Sequence, residues 1–539
     1  MSVAAGVANR VYMAAARPSR ARFERAVRNP VAAQREILSR ILRANARSAY
    51  GRRYDFARIT SVDQFRECVP VADYDAIESW IQRSAHGEAG VLSVDPIRCF
   101  ERTGGSSGAN KLVPITSALL REFGEATLPW VHDLLARRPA LRSGRSYWAV
   151  TPPARLTSHT EGGIPIGLEH DSDYFPRVAA ALLDRVIGAP RVLSRSRDVD
   201  AWRYLTLRAL LAIDDLAFIS IWNPSFLTLL AATLDEQFDN LLHDLEQGTL
   251  SVGLAPEYRA ECERDLPARP RLAAELRRQF GRRAPEDLGL LWPRLSLISC
   301  WADAHAARAL PAMRARFPRV EVQSKGLLAT EGVVSFPVFA AGGAVAAVSS
   351  HYLEFMPVDD KRSFGVEELE QGTTYRVLLT TSGGLYRYAL NDLVRVDGWH
   401  HRAPVLSFLG RADTTSDLAG EKLTPAFAER VLQEASRECG IHAYFAMLAP
   451  TLDEPPRYDL LVECDPADAD RLAEAVEHRL ADSHQYALCR RLGQLERVRP
   501  VVVRDGARLY ERSCLARGQR ISAIKPPALG AHFGGGGVA

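Results

Sequence analysis

Nine residues, Thr103-Gly104-Gly105-Ser106-Ser107-Gly108-Ala109-Asn110-Lys111, constrain this 539-residue chain more than any other stretch. They separate Ile97-Arg98-Cys99-Phe100 from Lys111-Leu112-Val113-Pro114-Ile115, so the pattern predicts strand, loop, strand. Val91-Leu92-Ser93-Val94 predicts one more extended segment just upstream. Three chemistries use such a loop. A Walker A loop needs Lys and then Ser or Thr directly after its last glycine, whereas Gly108 is followed by Ala-Asn-Lys-Leu. A nucleophile elbow on Ser106 is satisfied in letters, but it requires a helix straight after the serine, and here loop and strand follow. A strand–loop–strand phosphate cradle suits the pattern better. Its glycines let backbone N–H groups approach a polyphosphate, its hydroxyls add donors and Lys111 adds charge. On these residues alone a Gly/Ser turn that holds no ligand fits equally well.

The surrounding chain reads as α/β. Thr116 or Ser117 caps a helix running through Leu119, Leu120 and Phe123 toward Trp130, and Asn223-Pro224 opens a long apolar helix that ends before Gly248. Between Leu327 and Val396 the pattern changes to short β-rich runs at Val333–Phe339, Val345–Tyr352, Tyr375–Thr381, Tyr386–Leu390 and Leu393–Val396, as in a mixed or barrel-like sheet. Past residue 410, a helix at Pro425–Glu434, strands at Ala443–Leu448 and Tyr458–Glu463, a helix at Ala469–Leu480 and a strand at Glu496–Val503 make an α/β satellite with a ferredoxin-like order.

Charge and cysteine content exclude several classes. A net charge of +3 argues against nucleic acid as the main partner. The first 60 residues hold 13 arginines against three acids, which a surface-binding arm or the solvated face of a helix would explain. The helix reading has Asn29-Pro30 as its start, Ile37, Leu38, Ile41 and Leu42 as its buried stripe, and Gly51 as its stop. Eight scattered cysteines without a C-x-x-C pair, a poor signal peptide and no long apolar run point to a cytoplasmic protein with reduced thiols and no membrane partner.

Four further segments add to the loop. Thr103, Gly105, Ser106, Ser107, Gly108 and Lys111 fall in register with the first signature of the adenylate-forming superfamily, with Gly104 and Asn110 departing from it. Leu328-Ala329-Thr330-Glu331-Gly332 resembles the second motif, a hydroxyl–glutamate pair after a strand. Leu353-Glu354-Phe355-Met356-Pro357 resembles the segment that follows it. Gly384-Leu385-Tyr386-Arg387-Tyr388-Ala389-Leu390-Asn391-Asp392, with Gly398-Trp399-His400 and Pro404 beyond, is similar to Gly-Leu-Tyr-Arg-Tyr-Arg-x-Gly-Asp and Gly-Phe-His-Asn-x-Ala-Pro, Asn391 standing where glycine is usual. Gln519 to Pro527 resembles a Gln-Tyr-Lys-x-Pro-Arg tail. Together these segments resemble the acyl acid–amido synthetases named for auxin-responsive plant enzymes, which include jasmonate- and indoleacetate-conjugating members; Phe100-Glu101-Arg102-Thr103 matches the bacterial relatives.

The resemblance implies an adenylate-forming fold. Residues 1–410 would be a large N-terminal domain for ATP and acid, with β-sheets and a barrel-like subdomain flanked by helices. Residues 411–539 would be a small mobile α/β C-terminal domain, hinged near 411–415. It also implies roles. Thr103, Ser106, Ser107, Gly108 and Lys111 would contact ATP phosphates, Thr330 the α-phosphate, and Glu331 a Mg²⁺ ion. Asp392 would accept the ribose hydroxyls, with Tyr386 and Arg387 on the same strand and Phe408 beside the nucleotide, although those three could equally be packing residues. Arg411 matches the hinge arginine, followed here by Ala412-Asp413 in place of Lys-Asn, and Lys525 would reach the α-phosphate. The implied reaction adenylates a small carboxylic acid with ATP and passes the acyl group to an amine, usually an amino acid, in a monomer or weak oligomer. A ligase serving coenzyme A or a carrier protein is the alternative within the superfamily, and a serine esterase using Ser106 the alternative outside it. An acyl pocket is expected between the helix from Ser117 to Leu128, the Gly163–Gly167 turn and the Trp222–Phe226 segment.

One compositional fact bears on these roles. Only five of the 68 basic residues are lysine. Arginine supplies generic positive charge, so a surviving lysine marks a place for compact, mobile charge. Lys111 and Lys525 fall in the motifs, Lys422 lies just past the hinge, Lys325 shortly precedes Thr330, and Lys361 is in an ordinary loop.

Overall fold

The computed structural model describes residues 3–533 apart from 105–109, 150–157, 168–185, 197, 359, 413–415, 417, 420, 422, 454, 492–494, 518, 520, 522 and 523. The chain divides into two compact units. Unit 1 is built from Met1–Thr103, Asn110–Leu390 and Val394–Phe408, and unit 2 chiefly from Asn391–Leu393 and Leu409–Ala539.

In unit 1 the local signals explain most of the helices. Asn29 accepts a hydrogen bond from Ala32 N–H, and Pro30, which has no N–H to satisfy, opens the helix Pro30–Asn45. Gly51 does not end it. The chain has already turned at Ala46, and Gly51 sits inside a short helix, Ala49–Arg53, capped by Ser48. Thr116 caps Ser117–Arg137 through Leu119 N–H, and Pro224 opens Pro224–Gln247. A 26-residue helix, Val3–Arg28, has no counterpart in the sequence reading. Ahead of Pro18 it buries small residues, Ala5, Ala8 and Ala16, and the larger Phe23 and Val27 come only after it, so no strong apolar period marks the helix. Its arginines meet carboxylates: Arg22 pairs with Glu125 at 2.8 Å and Arg20 with Asp133 at 3.6 Å, both on the helix Ser117–Arg137. The basic N-terminal segment is therefore the charged face of a packed helix.

Among the described residues unit 1 carries three sheets. The first has the order β2–β1–β5–β4, with β1 (Ile97–Gly104), β2 (Asn110–Thr116), β4 (Ser158–His159) and β5 (Pro165–Ile166). Val91–Val94 joins no ladder. Val91 accepts from Tyr50 N–H through its carbonyl, while Val91 and Leu92 fill the core. The second sheet is parallel throughout, in the order β3 (Arg145–Trp148), β6 (Leu216–Ser220), β7 (Leu297–Cys300) and β8 (Glu321–Ser324). β6 and β7 are buried along their whole length, as a parallel sheet covered by helices requires.

The β-rich run forms a six-stranded sheet, β11 (Tyr352–Pro357), β12 (Thr374–Thr380), β13 (Tyr388–His400), β14 (Ala403–Arg411), β10 (Gly343–Ala346) and β9 (Ser335–Val338). The expected strand Val345–Tyr352 is interrupted by a turn at 347–350, closed by Ser350 N–H to the Ala347 carbonyl. The two short strands expected at Tyr386–Leu390 and Leu393–Val396 are one. Asn391, at φ 59°, carries the strand through a left-handed kink, a conformation that asparagine tolerates better than most residues.

Unit 2 has β15 (Phe445–Thr451) antiparallel to β16 (Arg457–Glu463), which runs parallel to β17 (Arg499–Val502). The helices Pro425–Cys439 and Pro466–Leu480 are capped by Thr424 and Asp465. Leu432, Leu460, Val462, Leu472 and Val476 form its core. On the free edge of β15 the tail contributes a bridge. Leu448 N–H donates to Ala528 and Gly530 N–H donates back to Leu448. Among the described residues no helix is long and apolar enough to cross a membrane, and all eight cysteines are free thiols.

Candidate active site

Thr330 and Glu331 form the tip of a tight hairpin. Leu328 pairs with Val333, and Ala329 and Gly332 exchange backbone hydrogen bonds of 3.0 and 3.3 Å. Both tip residues are part-exposed. The hairpin rests on His351: a Cβ on Gly332 would lie 3.1 Å from His351 Nε2 and 3.1 Å from Leu379. His351 is itself fully buried, with Nδ1 3.2 Å from Glu122 and no partner for Nε2. Glu122 collects further donors, the Ser382 N–H and hydroxyl and the Arg40 guanidinium. A buried carboxylate satisfied in this way is a fixed anchor beneath the hairpin.

Lys111 lies on β2 with its ammonium 5.3 Å from the Tyr74 ring, and Thr103 lies on β1. Ser106, Ser107 and Gly108 lie outside the described residues. Tyr386 and Arg387 serve the core of unit 1. The Tyr386 hydroxyl donates to the Leu92 carbonyl at 2.6 Å and its ring stacks on Tyr50 at 5.0 Å. Arg387 donates to Glu354, Ser363 and the Arg66 and Val69 carbonyls, and holds φ at 46°. Of the two readings the sequence leaves open for these residues, packing is what their side chains do. Phe408 packs against the same core from the edge.

Unit 2 brings three of the expected residues together. Asp392 is buried on β13, one residue after the Asn391 kink, and Ala412 N–H donates to the Asn391 carbonyl at 2.7 Å, which ties the end of β14 to this point. Arg411, expected at the hinge, is the last residue of that strand. Burial pulls the Lys525 ammonium down to about 7; the Asp392 carboxylate opposes the fall and Arg411 adds to it. Lys525 is part-exposed and held in place by the Ala528–Gly530 attachment to β15, so it is no loose terminal lysine.

The sequence pointed past a further group. Each strand of the parallel sheet ends, or is closely followed, by a chemically distinctive residue: Trp148 on β3, Ser220 and Trp222 at β6, Trp301 after β7 and Lys325 after β8. The Lys325 ammonium lies 5.0, 5.5 and 5.1 Å from the rings of Trp130, Trp148 and Trp222 and donates to Ser220 Oγ at 2.6 Å. The expected acyl pocket had Trp222 on one wall; the helix residue facing it is Trp130, beyond Leu128. The Gly163–Gly167 turn is tied to β1, through Gly167 N–H to the Phe100 carbonyl. Tryptophans scattered between positions 130 and 301 leave no local pattern, and the scarcity of lysine was the one signal available.

The residues fit the implied nucleotide and ion. No cluster of three or more metal-ligating side chains occurs among the described residues, which excludes an all-protein cage among them. Mg²⁺ in nucleotide sites takes one or two carboxylates and completes its shell with phosphate and water, and a part-exposed glutamate at a hairpin tip such as Glu331 suits that need.

Residues 19–322 match the GH3 family N-terminal domain, 344–411 the central domain and 426–531 the C-terminal domain. Indole-3-acetic acid-amido synthetase GH3.4 of Arabidopsis thaliana is 25% identical over 450 residues, 77% of this chain and 72% of the relative. Jasmonoyl–L-amino acid synthetase GH3.5 of Oryza sativa subsp. japonica is 24% identical, covering 77% and 76%. The solved GH3.15 acyl acid amido synthetase superposes with a TM-score of 0.80 at 22% identity, over 94% of this chain and 93% of that one. With more than half of its length matched by the first of these domains alone, the chain belongs to the GH3 family.

Proposed function

We propose that the chain is an ATP-dependent acyl acid–amido synthetase. A substrate carboxylate oxygen attacks the α-phosphorus of ATP, the bond to the β-phosphate oxygen breaks, and pyrophosphate leaves. An amine nitrogen, most simply that of an amino acid, then attacks the acyl carbonyl; the bond to AMP breaks and the amine gives up a proton. No side-chain nucleophile is required, because positioning and charge stabilisation carry both steps. The observation that carries this reading is Lys525, a part-exposed lysine anchored by the tail's attachment to β15 and set beside Asp392 and Arg411 in unit 2.

In this reading Lys525 meets the charge that develops on the α-phosphate, and Asp392 takes the ribose hydroxyls. Thr103, Ser106, Ser107, Gly108 and Lys111 serve the phosphates, and Thr330 the α-phosphate. Arg411 lies at the hinge near 411–415. Glu331 would hold Mg²⁺, which neutralises phosphate charge when bound. Tyr386 and Arg387 support the scaffold. The names of the relatives, with their indole-3-acetic and jasmonic acids, support a small apolar carboxylic acid as the substrate.

Acid-dependent exchange of pyrophosphate into ATP, run on a panel of acids and followed by an amine panel on the best acid, tests the reading. Exchange with at least one acid and amide formation with an amino acid are expected. Exchange with no acid, together with ester hydrolysis lost in Ser106→Ala, would overturn it in favour of a hydrolase. A thioester as the product of an otherwise active enzyme would move it to the coenzyme A branch.

A further inference from the structure

The cluster at the end of the parallel sheet poses an electrostatic problem. Lys325 is 2% exposed, and no carboxylate among the described residues is one of the charges that act on it. A buried ammonium ordinarily needs an anion. Here its neighbours are three indole faces and one hydroxyl, and burial pulls it down to about 7, opposed by the Cys300 thiol, itself pushed up to about 12 by burial. Cation–π contact compensates in part. A methionine would fill the same volume without that cost. The described residues supply no counter-anion.

We propose that Lys325 and Ser220 receive the carboxylate of the acid substrate, and that the tryptophans around them select acids with a flat apolar body. The inference rests on the synthetase reading above and names the residues that recognise its acid. Three observations fix the chemistry of the ligand. The position is the first, since ligands of open parallel sheets bind beyond the carboxyl ends of the strands, where these groups lie. The walls are the second. Trp130 Nε1 is bound to Gln323 and Trp148 Nε1 to Ser146 Oγ, so these indoles offer faces rather than donors. Trp148, Trp222 and Trp301 remain part-exposed above a buried lysine, and Trp301 packs 5.0 Å from Trp222. The third is the donor count. One ammonium and one hydroxyl match a monoanionic carboxylate and fall short of a phosphate, while the positive charge repels an amine. Lys325 is joined to the Thr330–Glu331 hairpin by four residues, so a carboxylate held here and the proposed adenylation motif belong to one continuous segment.

Tryptophan fluorescence of the full chain, titrated with phenylacetate and with neutral phenylacetamide in the absence of ATP, tests the site independently of catalysis. Saturable quenching by phenylacetate, weakened about 30-fold in Lys325→Met with phenylacetamide affinity unchanged, is the expected result, the size of a lost charged hydrogen bond. ATP affinity of the variant should stay within about twofold, since Lys325 touches no proposed nucleotide group. Equal phenylacetate affinity in parent and variant overturns the proposal, as does the absence of saturable quenching in the parent. Should Lys325→Met fail to fold, Ser220→Ala carries the test: about fivefold weaker phenylacetate binding supports the site and unchanged binding overturns it. Acid binding that depends on Lys325 in a chain without pyrophosphate exchange would retain the site and remove the synthetase reading; exchange without that dependence would do the reverse.

Discussion

Two lysines share one physical state, an ammonium drawn down to about 7 by burial, and the consequences differ with what surrounds each. Lys525 faces Asp392 and Arg411. Lys525→Ala is expected to slow adenylation by about 100-fold, the scale of a lost oxyanion donor, with KM for ATP changed less than about threefold. In the free enzyme the cation is present below about pH 7 and lost above it, so kcat/KM for ATP should fall as pH rises through 7. Because the lysine adds little to ATP affinity, kcat should fall in step with it. Lys525→Arg, charged throughout, should abolish the fall; a flat profile in the parent between pH 6 and 9 would remove the lysine as the titrating group. For Lys325 the sign governs stability. Its folded pKa lies below the unfolded one, so between about 7 and 10.5 the unfolded chain binds more protons and stability rises with pH. Lys325→Met relieves that cost and should raise the Tm at pH 7 by a few degrees, as replacement of buried charge often does. A lower Tm in calorimetry would mean that the indoles already compensate the ammonium in full.

Among the elements, the helix Ser117–Arg137 connects most of unit 1. It receives Arg20 and Arg22 from the N-terminal helix, offers Glu122 to His351 and Ser382, and turns Trp130 toward Lys325. Glu122→Gln is expected to cost about 3 kcal/mol, read from the urea midpoint, because it leaves buried donors without their charge. Glu125→Gln, at the surface end of the Arg22 pair, should cost less than about 1. Equal losses would mean that the buried network is worth no more than an exposed pair. What the sequence makes legible among these elements follows the same division between local and distant causes. Thr116, Asn29-Pro30 and Pro224 announce helix starts because capping is settled within four residues. The helix Val3–Arg28 hides because it buries alanines. β13 reads as two strands in the sequence because Asn391 interrupts the alternation, and the glycine loop, Thr330-Glu331, Asp392 and Lys525 stand out as motifs. The tryptophans around Lys325 come from three strand ends and a helix, and only the folded sheet assembles them.

At the scale of the molecule the proposed chemistry is divided between the units. Acid recognition belongs to unit 1, and the Lys525–Asp392–Arg411 group to unit 2. A change confined to one should leave the other readable. Phe533 packs on Phe445 and Tyr510 at 5.6 and 5.4 Å and secures the tail that positions Lys525. Phe533→Ala is expected to lower the adenylation rate at least about tenfold with phenylacetate quenching unchanged, since the large cavity loosens the anchor without reaching the indoles. Loss of both signals together would make the two units one cooperative block. The parallel sheet carries a last consequence. Its proposed recognition groups stand at or just past the strand ends, and they join the ladder only through their backbones, Lys325 N–H to Cys300 and Trp301 N–H to Trp222. Substitution at 148, 222, 301 or 325 changes what the edge holds and leaves strand pairing as it was. A lineage can thus exchange one preferred acid for another by drift at a few positions, with the frame inherited intact.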